Sequence, residues 1–482
     1  MASSFESPFP ESLSLSSETS PTDLEAASAL PSPPAVLSVP ELVRPDTFSL
    51  DADGQTQVGG VPIAQLVERF QTPLYVLDAE TIRHRARQYR SIERYYGKPV
   101  QVVLAAKANL NLGLCKLMQQ EGLGLDVVSA GELHTAIQAG FPMDRVLMNG
   151  NNKSADEMTM AIHYKVGRLV VDNLHELEQI HRICQQKNTS VDVLLRVVPG
   201  IECHTHEYIR TGQRDTKFGF DLAVLPEALA YLVTTAKDTI RLRGLQAHIG
   251  SQIFEQGAYD DLIEVLLNIF YNIRENYQGL TLDEMDIGGG LGVSYTELDD
   301  PPAIEGMMRR IAAKVTEYAA RLEYPLPKLY LEPGRSLVAT AGLTLYTVGG
   351  IKHVPDVRTF VSVDGGMGDN IRPSLYGAVY TAMVANKPTE PASQTVTVVG
   401  KYCESGDVLI QSFKAPASLT SGDTLLVFGT GAYNYSMSSN YNRIPRPATV
   451  LVENGKAHLL VRRETLDDLI ALDQIPETLQ SL

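Results

Sequence analysis

The segment VQVVLAAKANLNLGLCKLMQQEG, residues 100–122, contains the pattern on which the fold prediction rests. A short apolar, β-branched run ends in polar residues, and the next residues have apolar side chains that recur every three or four positions. The first half is typical of a buried strand and the second of an amphipathic helix. The same pattern returns as far as about residue 336, so strands and helices are expected to alternate.

Eight apolar runs of this kind are present. They are VQVVLAAKAN (100–109), GLDVVSAGE (124–132), RVLMNGNNKS (145–154), RLVVDN (168–173), VDVLLRVVPG (191–200), LRGLQAHIGSQ (242–252), DEMDIGGGLG (283–292) and KLYLEPGRS (328–336). Strands that alternate with helices pair in parallel, and a count of eight favours a closed (β/α)8 barrel of the TIM type over an open, doubly wound sheet. The predicted fold class is therefore α/β.

A second domain is expected after the barrel, because the helical pattern fades beyond residue 336. Runs such as LTLYTVGGIKHV and DTLLVFGTGAY are separated by Gly, Asp and Pro turns, which is typical of an antiparallel β domain. We expect the barrel to span 76–336 and the C-terminal β domain, a sandwich or barrel, to span 337–482. The segment 45–75 is expected to join the β domain.

The first 44 residues form an acidic tail that is rich in Ser and Pro. This tail contains six acidic residues and no Lys or Arg before Arg44. Such a composition cannot bury enough apolar surface to offset the entropy lost on ordering, so we expect disorder. The tail lacks the basic start of a secretory signal and the Arg-rich composition of a transit peptide.

The overall composition excludes several classes of partner. A net charge of −16 argues against nucleic acid and anionic membranes, which require clustered Lys and Arg. Four scattered Cys suit neither a disulfide scaffold nor a CxxC zinc site, so no metal is expected. No run approaches the roughly 18 apolar residues of a membrane span. We expect a reduced, soluble, cytoplasmic protein.

Polar residues follow seven of the eight strand runs, at the positions where a TIM barrel carries its functional groups. One polar residue after a strand is an ordinary turn, whereas seven such strand ends indicate a site. The residues are Lys107, Asn109, Asp126, Ser129, Asn151, Asn152, Arg196, His248, Ser251, Gly288 to Gly290, and Glu332 to Arg335.

Lys107 is the candidate nucleophile. A lone Lys is usually solvated, but Lys107 ends the apolar run VVLAA, so we expect its stem to be partly buried and its amine to be activated. Pyridoxal 5'-phosphate (PLP) requires such a lysine, a phosphate cradle and an acidic partner for its pyridine nitrogen.

Two further motifs match the other requirements of this cofactor. GGGLG (288–292) lets backbone N–H groups approach an anion, although it also fits an ordinary tight turn. Glu332 and Arg335 of EPGRS offer a carboxylate for the pyridine nitrogen and a guanidinium for a phosphate or carboxylate. The plain alternative is a surface ion pair beside a turn.

Ten motifs carry a resemblance to one family. They are KANLNLG, LDVVSAGEL, NGNNKS, HTHEYIRTGQRDTKFGF, HIGSQI, DIGGGLG, EPGRS, DGGMGDNIRPSLYGA, CESGD and GAYNYSMSSNYNRIPRPA. In this order they resemble the diaminopimelate decarboxylases, which are PLP-dependent group IV decarboxylases with an alanine-racemase-like fold. The resemblance spans about residues 60–450. It implies the decarboxylation of meso-2,6-diaminopimelate to L-lysine and CO2, the last step of lysine biosynthesis.

The resemblance also implies roles for matched residues. The catalytic pair would be Lys107, which forms a Schiff base with the cofactor, and Cys403, which comes from the neighbouring subunit. The cofactor-binding set would be Lys107, His248, which stacks on the ring, Ser251, Gly288, Gly289 and Gly290 at the phosphate, Glu332 at the pyridine nitrogen, and Pro333, Gly334, Arg335 and Tyr433. The substrate-binding set would be Arg335, Arg372, Tyr376, Glu404 and Tyr433. A homodimer with shared active sites is implied.

Charge supports this substrate over its rivals. The distal end of diaminopimelate carries an ammonium and a carboxylate, which Glu404 and either Arg335 or Arg372 can recognise. Ornithine and lysine have no distal carboxylate, so an Arg there would lack a partner. The alternatives are a decarboxylase of ornithine, arginine, lysine or carboxynorspermidine on the same fold, and a non-catalytic PLP-binding homologue. Cys403 and Lys107 both remain candidates for returning a proton to the α-carbon.

Overall fold

The structure is a computed structural model, and it describes residues 39–200, 216–280 and 282–480. Most of the tail for which disorder is expected, and residues 204–215 of the HTHEY motif, lie outside the described residues. Within the described ranges, no helix has the length and apolarity needed to cross a membrane. The same ranges contain no group of three or more His, Cys, Asp or Glu side chains that could hold a metal ion.

The chain begins with elements that belong to the β domain. They are β1 (Ser49–Leu50), β2 (Thr56–Val58), β3 (Val61–Pro62), α1 (Ile63–Phe70) and β4 (Leu74–Asp78). Strands β1 to β3 form a small antiparallel sheet, whereas β4 is buried along its whole length inside the larger sheet of the second domain. The expected division between 45–75 and 76–336 falls within β4.

The barrel follows, with strands and helices that alternate except at the consecutive strands β9 and β10. Its strands are β5 (Val100–Ala105), β6 (Gly124–Val127), β7 (Val146–Met148), β8 (Arg168–Val171), β9 (Val191–Val198), β10 (Phe220–Asp221), β11 (Ile240–Gln246), β12 (Glu284–Asp286) and β13 (Lys328–Leu331). Its helices are α2 (Ala79–Arg90), α3 (Leu112–Gln120), α4 (Ala130–Gln138), α5 (Ala155–Tyr164), α6 (Leu174–Lys187), α7 (Leu225–Thr234), α8 (Gly257–Asn276), α9 (Ile304–Arg321) and α10 (Arg335–Val338).

Eight of these strands form a closed ring of parallel pairs. The order is β5-β6-β7-β8-β9-β11-β12-β13, and β13 pairs with β5 to complete the ring. Each of the eight apolar runs forms one of these strands, and the short β10 pairs with β9 outside the ring. The predicted TIM-type barrel is confirmed.

Short polar side chains fix several turns from strand to helix. Asn111, Ser129, Ser154 and Asn173 each accept a hydrogen bond from a backbone N–H in the first turn of the next helix. Ser154 forms a full capping box with Glu157. Part of the polar pattern at the strand ends therefore serves helix capping.

The opposite end of the barrel is closed by a buried ion pair. Arg168, at the start of β8, donates from Nε to Glu284 of β12 at 2.6 Å and from a terminal nitrogen at 2.5 Å. A two-point contact of this kind satisfies both charges inside the protein. Above it, Val103, Leu147, Val170, Leu194 and Tyr330 fill the barrel interior. The mouth at the carboxyl ends of the strands is therefore where a site can form.

The C-terminal domain is a predominantly antiparallel β structure. Its strands are β14 (Gly342–Val354), β15 (Arg358–Val363), β16 (Ala382–Val384), β17 (Ala392–Val399), β18 (Val408–Pro416), β19 (Thr424–Phe428), β20 (Ala448–Glu453) and β21 (Lys456–Val461), with helices α11 (Arg372–Tyr376) and α12 (Leu466–Ile470). The main sheet has the order β18-β17-β15-β14-β4-β20-β21, and β19 pairs with both β14 and β16. The pairs β15–β17 and β4–β20 are parallel.

Two hydrogen bonds attach the loop after β19 to the loop that carries Lys107. The backbone N–H of Tyr433 donates to the carbonyl of Ala108 at 2.6 Å. The side-chain amide of Asn109 donates to the carbonyl of Gly431 at 2.9 Å. These contacts bring β-domain residues to the barrel mouth within one chain.

The loop after β15 contains a buried acid. Asp369 is 1% exposed and accepts hydrogen bonds from the Tyr346 hydroxyl and from the Gly366 N–H at 2.8 Å. Burial raises the pKa of Asp369 from 3.8 to about 7, although the bonds from Tyr346 and Gly366 oppose this shift. Between about pH 4 and pH 7 the folded protein therefore keeps a proton that the unfolded chain releases.

Asp369→Asn should change the pH dependence of stability. Because the folded-state pKa is raised, the wild-type free energy of unfolding should fall as pH increases from about 4 to about 7, by on the order of 4 kcal/mol at most. The difference in Tm, variant minus wild type, should become more positive from pH 5 to pH 8. The exposed Asp467→Asn is the control. A difference that is constant with pH would contradict the assignment.

Candidate active site

Lys107 lies at the barrel mouth, in a 3-10 helix formed by Ala106–Ala108 directly after β5. Its neighbours Ala106 and Ala108 are buried, whereas Lys107 itself is exposed, so its amine is accessible at the mouth. The expectation of a partly buried stem stays a prediction. The Lys107 charge lowers the pKa of Asp126 and Glu132 against the larger effect of burial, which places the amine among acidic groups.

His248 follows β11 and is half-buried beside the loop GGGLG (288–292), called the glycine loop below. Burial, reinforced by the charges of Lys107 and Arg196, holds the pKa of His248 well below its usual value. Its Nδ1 accepts a hydrogen bond from the Gly289 N–H at 3.3 Å. The neutral imidazole therefore carries its proton on Nε2.

The glycine loop packs backbone against backbone. Gly288 and Gly290 have φ of 67° and 110°, which favour glycine. A Cβ on Gly289 would lie 2.1 Å from the Glu332 carbonyl oxygen, and one on Gly290 would lie 2.4 Å from the Gly250 carbonyl oxygen. The loop can therefore approach the strand ends only without side chains.

Glu332 is buried at the end of β13, with a donor on each oxygen. Asn149 donates to Oε1 at 3.1 Å and Gln246 donates to Oε2 at 3.0 Å. The Asn149 amide also donates to Asp126 at 2.7 Å. Two neutral amides thus hold the Glu332 carboxylate in a fixed orientation at the centre of the mouth.

Two buried arginines line a neighbouring cavity. Arg335 donates to the Ser251 hydroxyl at 3.0 Å and to the Tyr295 hydroxyl at 2.7 Å. Arg372 donates to the Tyr380 hydroxyl at 2.9 Å. Among the residues that the structure describes, neither guanidinium forms an ion pair with a carboxylate.

The cavity lies between these two arginines and has a volume of about 420 Å³. The Tyr433 ring lies 4.9 Å from the Arg335 guanidinium carbon and 5.2 Å from that of Arg372. Tyr376 also lines the cavity and stacks with Arg372 at 5.0 Å. Aromatic rings and phenol oxygens therefore hold both positive charges at the cavity wall.

Cys403 and Glu404 are placed differently. Both are exposed on a loop of the β domain, and neither is among the residues that line the cavity. The Cys403 N–H donates to the Asn442 side chain at 2.8 Å. Lys107, His248, the glycine loop and Glu332 meet at the mouth, and Arg335, Arg372 and Tyr376 line the adjoining cavity, whereas these two do not join them within the described part of the chain.

Comparison with known proteins identifies the family. Residues 80–339 match the family described as pyridoxal-dependent decarboxylase, pyridoxal binding domain. A diaminopimelate decarboxylase of Bacillus subtilis is 47% identical over 420 residues, which cover 87% of this chain and 95% of the relative. The chain belongs to the diaminopimelate decarboxylase family. One from Synechocystis is 45% identical over 93% of this chain and 96% of the relative.

Structural similarity agrees with this family. The crystal structure of diaminopimelate decarboxylase from M. jannaschii in co-complex with L-lysine has a TM-score of 0.84. It is 33% identical and covers 90% of this chain and 99% of that one. The resemblance inferred from the motifs is confirmed, and this member of the diaminopimelate decarboxylase family is a PLP-dependent carboxy-lyase.

The residues at the mouth fit PLP. The glycine loop leaves a surface without side chains, beside the Ser251 hydroxyl and the Arg335 guanidinium, which are groups that bind phosphate. Glu332 is a buried acid suited to a pyridinium N–H, and Lys107 offers an accessible amine. The donor set therefore contains a partner for each polar part of the cofactor.

Several residues of this decarboxylase site were not predicted from the sequence. Asn149 and Gln246 lie within two of the apolar runs, where a polar residue in a buried strand signals a function. Tyr295 and Tyr380 have no such signal, because they lie in loops far apart in the chain. Their rings meet only in the fold, with centroids 5.3 Å apart.

Lys107→Ala should abolish the covalent attachment of PLP to the chain. In the wild type, borohydride treatment should fix the cofactor to the peptide that contains Lys107, because Lys107 is the amine exposed at the mouth. Mass spectrometry of digested protein measures this. Lys116→Ala, an exposed lysine on α3, is the matched control and should retain the modification. A modified peptide that persists in Lys107→Ala would refute the assignment.

Proposed function

We propose that the protein decarboxylates meso-2,6-diaminopimelate to L-lysine and CO2, the last step of lysine biosynthesis. The observation that carries this proposal is the pair of buried arginines that face one cavity without a carboxylate partner among the described residues. A buried guanidinium requires an anion, and this substrate has carboxylates at both ends. Relatives with this name and a related structure that contains L-lysine support it.

Two kinds of group would recognise the distal end of diaminopimelate: arginines for its carboxylate and an acid for its ammonium. Arg335 or Arg372 binds the distal carboxylate, and their phenol partners hold the guanidinium planes in place. Tyr376 and Tyr433 cover the aliphatic stem and limit access of water. Glu404 lies outside the cavity of its own chain, so it would bind the distal ammonium of a substrate held in the other subunit.

At the reacting end the roles follow from the mouth. When bound, PLP would supply an electron sink for the pair left at the α-carbon by departing CO2. Glu332 would hold a proton at the pyridine nitrogen, His248 would support the ring, and Ser251 with Gly288, Gly289, Gly290, Pro333 and Gly334 would hold the phosphate end. Lys107 would bind the cofactor between turnovers. Lys107 or Cys403 returns the proton to the α-carbon.

Decarboxylation of ornithine, arginine, lysine or carboxynorspermidine remains the alternative on the same fold. A lysine/ornithine decarboxylase from Vibrio vulnificus is 24% identical, which reflects the shared fold alone. Substrates with only a distal ammonium would leave a buried arginine without an anion. The arrangement of Arg335 and Arg372 therefore favours diaminopimelate.

The deciding assay is the release of CO2 and L-lysine from meso-diaminopimelate in the presence of PLP. We expect equal amounts of both products, and turnover of ornithine, arginine and lysine lower by on the order of 100-fold or more. Lys107→Ala is the blank. Faster turnover of a diamino acid with a single carboxylate would contradict the substrate proposal. Cofactor binding without any CO2 release would favour the non-catalytic homologue.

We also propose a homodimer with shared active sites, in which Cys403 and Glu404 of each chain serve the mouth of the other. Both residues are exposed and away from their own cavity, which supports this arrangement. Two apolar residues on the cavity wall support it further, because Leu298 is 89% exposed and Val379 is 63% exposed. Large exposed apolar groups beside a functional cavity are typical of an interface.

Mixing two inactive variants tests the shared site. Lys107→Ala and Cys403→Ala should recover activity together, since a mixed dimer contains one intact site, with about one quarter of wild-type activity at full exchange. Lys107→Ala mixed with Glu332→Ala is the matched control and should stay inactive, because both residues belong to the same mouth. If subunit exchange is demonstrated and the first mixture stays inactive, the sites are not shared.

A cytoplasmic location is part of the proposal. The described cysteines Cys115, Cys184 and Cys403 are free thiols, as expected in a reducing compartment. Burial raises the pKa of Cys115 to about 12 and that of Cys184 to about 11, so both are unreactive. Cys403 is the exposed one, in agreement with the role given to it above.

A further inference from the structure

Asp286 is a buried acid at the centre of the mouth that the proposed mechanism does not use. It is the last residue of β12 and is 0% exposed. Its Oδ1 accepts the Gly288 N–H at 2.8 Å, whereas no donor from the described part of the chain reaches its Oδ2. A buried carboxylate oxygen without a donor is costly, so this atom calls for an explanation.

The neighbouring strand offers an explanation for this atom. Asp286 ends β12 and Glu332 directly follows the adjacent strand β13, and the two side chains are hydrogen-bonding partners. Two ionised carboxylates only accept hydrogen bonds and repel each other, whereas one shared proton turns the same contact into a strong bond. The contact is therefore consistent with one protonated partner.

The neighbouring groups decide which partner holds the proton. Glu332 has an amide N–H on each oxygen, from Asn149 and Gln246, and these bonds stabilise its ionised form. Asp286 has a single backbone donor. The proton therefore belongs on Asp286.

Among the described residues, the strand partners of Asp286 carry no positive charge. Gln246 of β11 and Tyr330 of β13 are its partners on the adjacent strands. The acidic groups Glu332 and Asp126 exert the largest electrostatic effects on it. Burial and the Glu332 charge raise the pKa of Asp286 well above its usual range.

We propose that Asp286 is held as a neutral carboxylic acid that donates a hydrogen bond to Glu332 and keeps Glu332 ionised and oriented toward the cofactor. Asp286 is thus a positioning residue. A second negative charge is avoided, and Glu332 keeps the charge that a pyridinium N–H requires. Whether Asp286 is protonated in the free protein does not depend on which substrate is decarboxylated. The expected effect on cofactor binding does rest on the role proposed for Glu332.

Infrared spectroscopy of the cofactor-free protein tests the proton directly. A protonated carboxyl has a carbonyl stretching band distinct from that of a carboxylate, and the band shifts in D2O. At pH 8 this band should lose intensity in Asp286→Asn relative to wild type. Asp283→Asn, at the exposed opposite end of the same strand, is the matched control and should leave the band unchanged. An unaltered band in Asp286→Asn would overturn the proposal.

The affinity for PLP shows whether Asp286 acts as a hydrogen-bond donor or as a negative charge. Asn keeps an acceptor for Gly288 and a donor for Glu332, so Asp286→Asn should bind PLP within about threefold of wild type, whereas Asp286→Ala should bind at least about tenfold more weakly. Spectroscopic titration with PLP measures both, and circular dichroism checks that each variant is folded. Equal losses in the two variants would show that the ionised carboxylate matters, and would overturn the proposal even where decarboxylation of diaminopimelate is established.

Discussion

Strand β4 is the element on which the placement of the site depends. It pairs antiparallel with β14 and parallel with β20, so it lies inside the β sheet. Its last residue, Asp78, is buried and caps α2, the first helix of the barrel. No linker separates the two domains here, because one continuous strand and helix joins them. The loops that carry Tyr433 and Lys107 are therefore held close enough for the Tyr433 N–H to donate a hydrogen bond to the Ala108 carbonyl.

The two ends of the barrel differ in how their buried charges are compensated. At the closed end, Arg168 and Glu284 neutralise each other through a two-point contact. At the mouth, Glu332 and Asp286 lie together, and within the described residues two amides and one backbone N–H satisfy part of their oxygens. The first arrangement is complete in itself, whereas the second would leave a negative charge for a cationic ring nitrogen in the role proposed for Glu332.

Local sequence pattern was sufficient for the barrel because each unit is defined by neighbours in the chain. RLVVDN became β8 followed by the capping Asn173, as the apolar run and the short polar residue indicate. Strand β4 has the same local character, yet it belongs to the β sheet. Its membership is decided by pairing with residues more than 250 positions away, which no local pattern encodes.

The site follows the same division. Glu332 and the glycine loop could be inferred because their residue types and strand-end positions limit what they can do. The exposure of Lys107 could not, since it depends on the direction of a single 3-10 turn. Asp286 is visible in the sequence as an acid in a buried run, but its relation to Glu332 follows only from the register that places the end of β12 beside the end of β13.

Arg335 and Arg372, with the phenols that they contact, form one wall of the cavity. This wall illustrates how specificity can arise from groups away from the reacting atoms. Arg335 and Arg372 have phenols rather than carboxylates as their described partners, so their charges stay uncompensated inside the protein. A carboxylate partner from the chain would make the wall more stable but would compete with an anionic ligand. In the role proposed above, neutral oxygens fix the guanidinium planes and leave the charge available, so the free energy of neutralisation would become free energy of substrate binding. The cavity would then favour a substrate with a second carboxylate, because its two arginines have no carboxylate partner among the described residues.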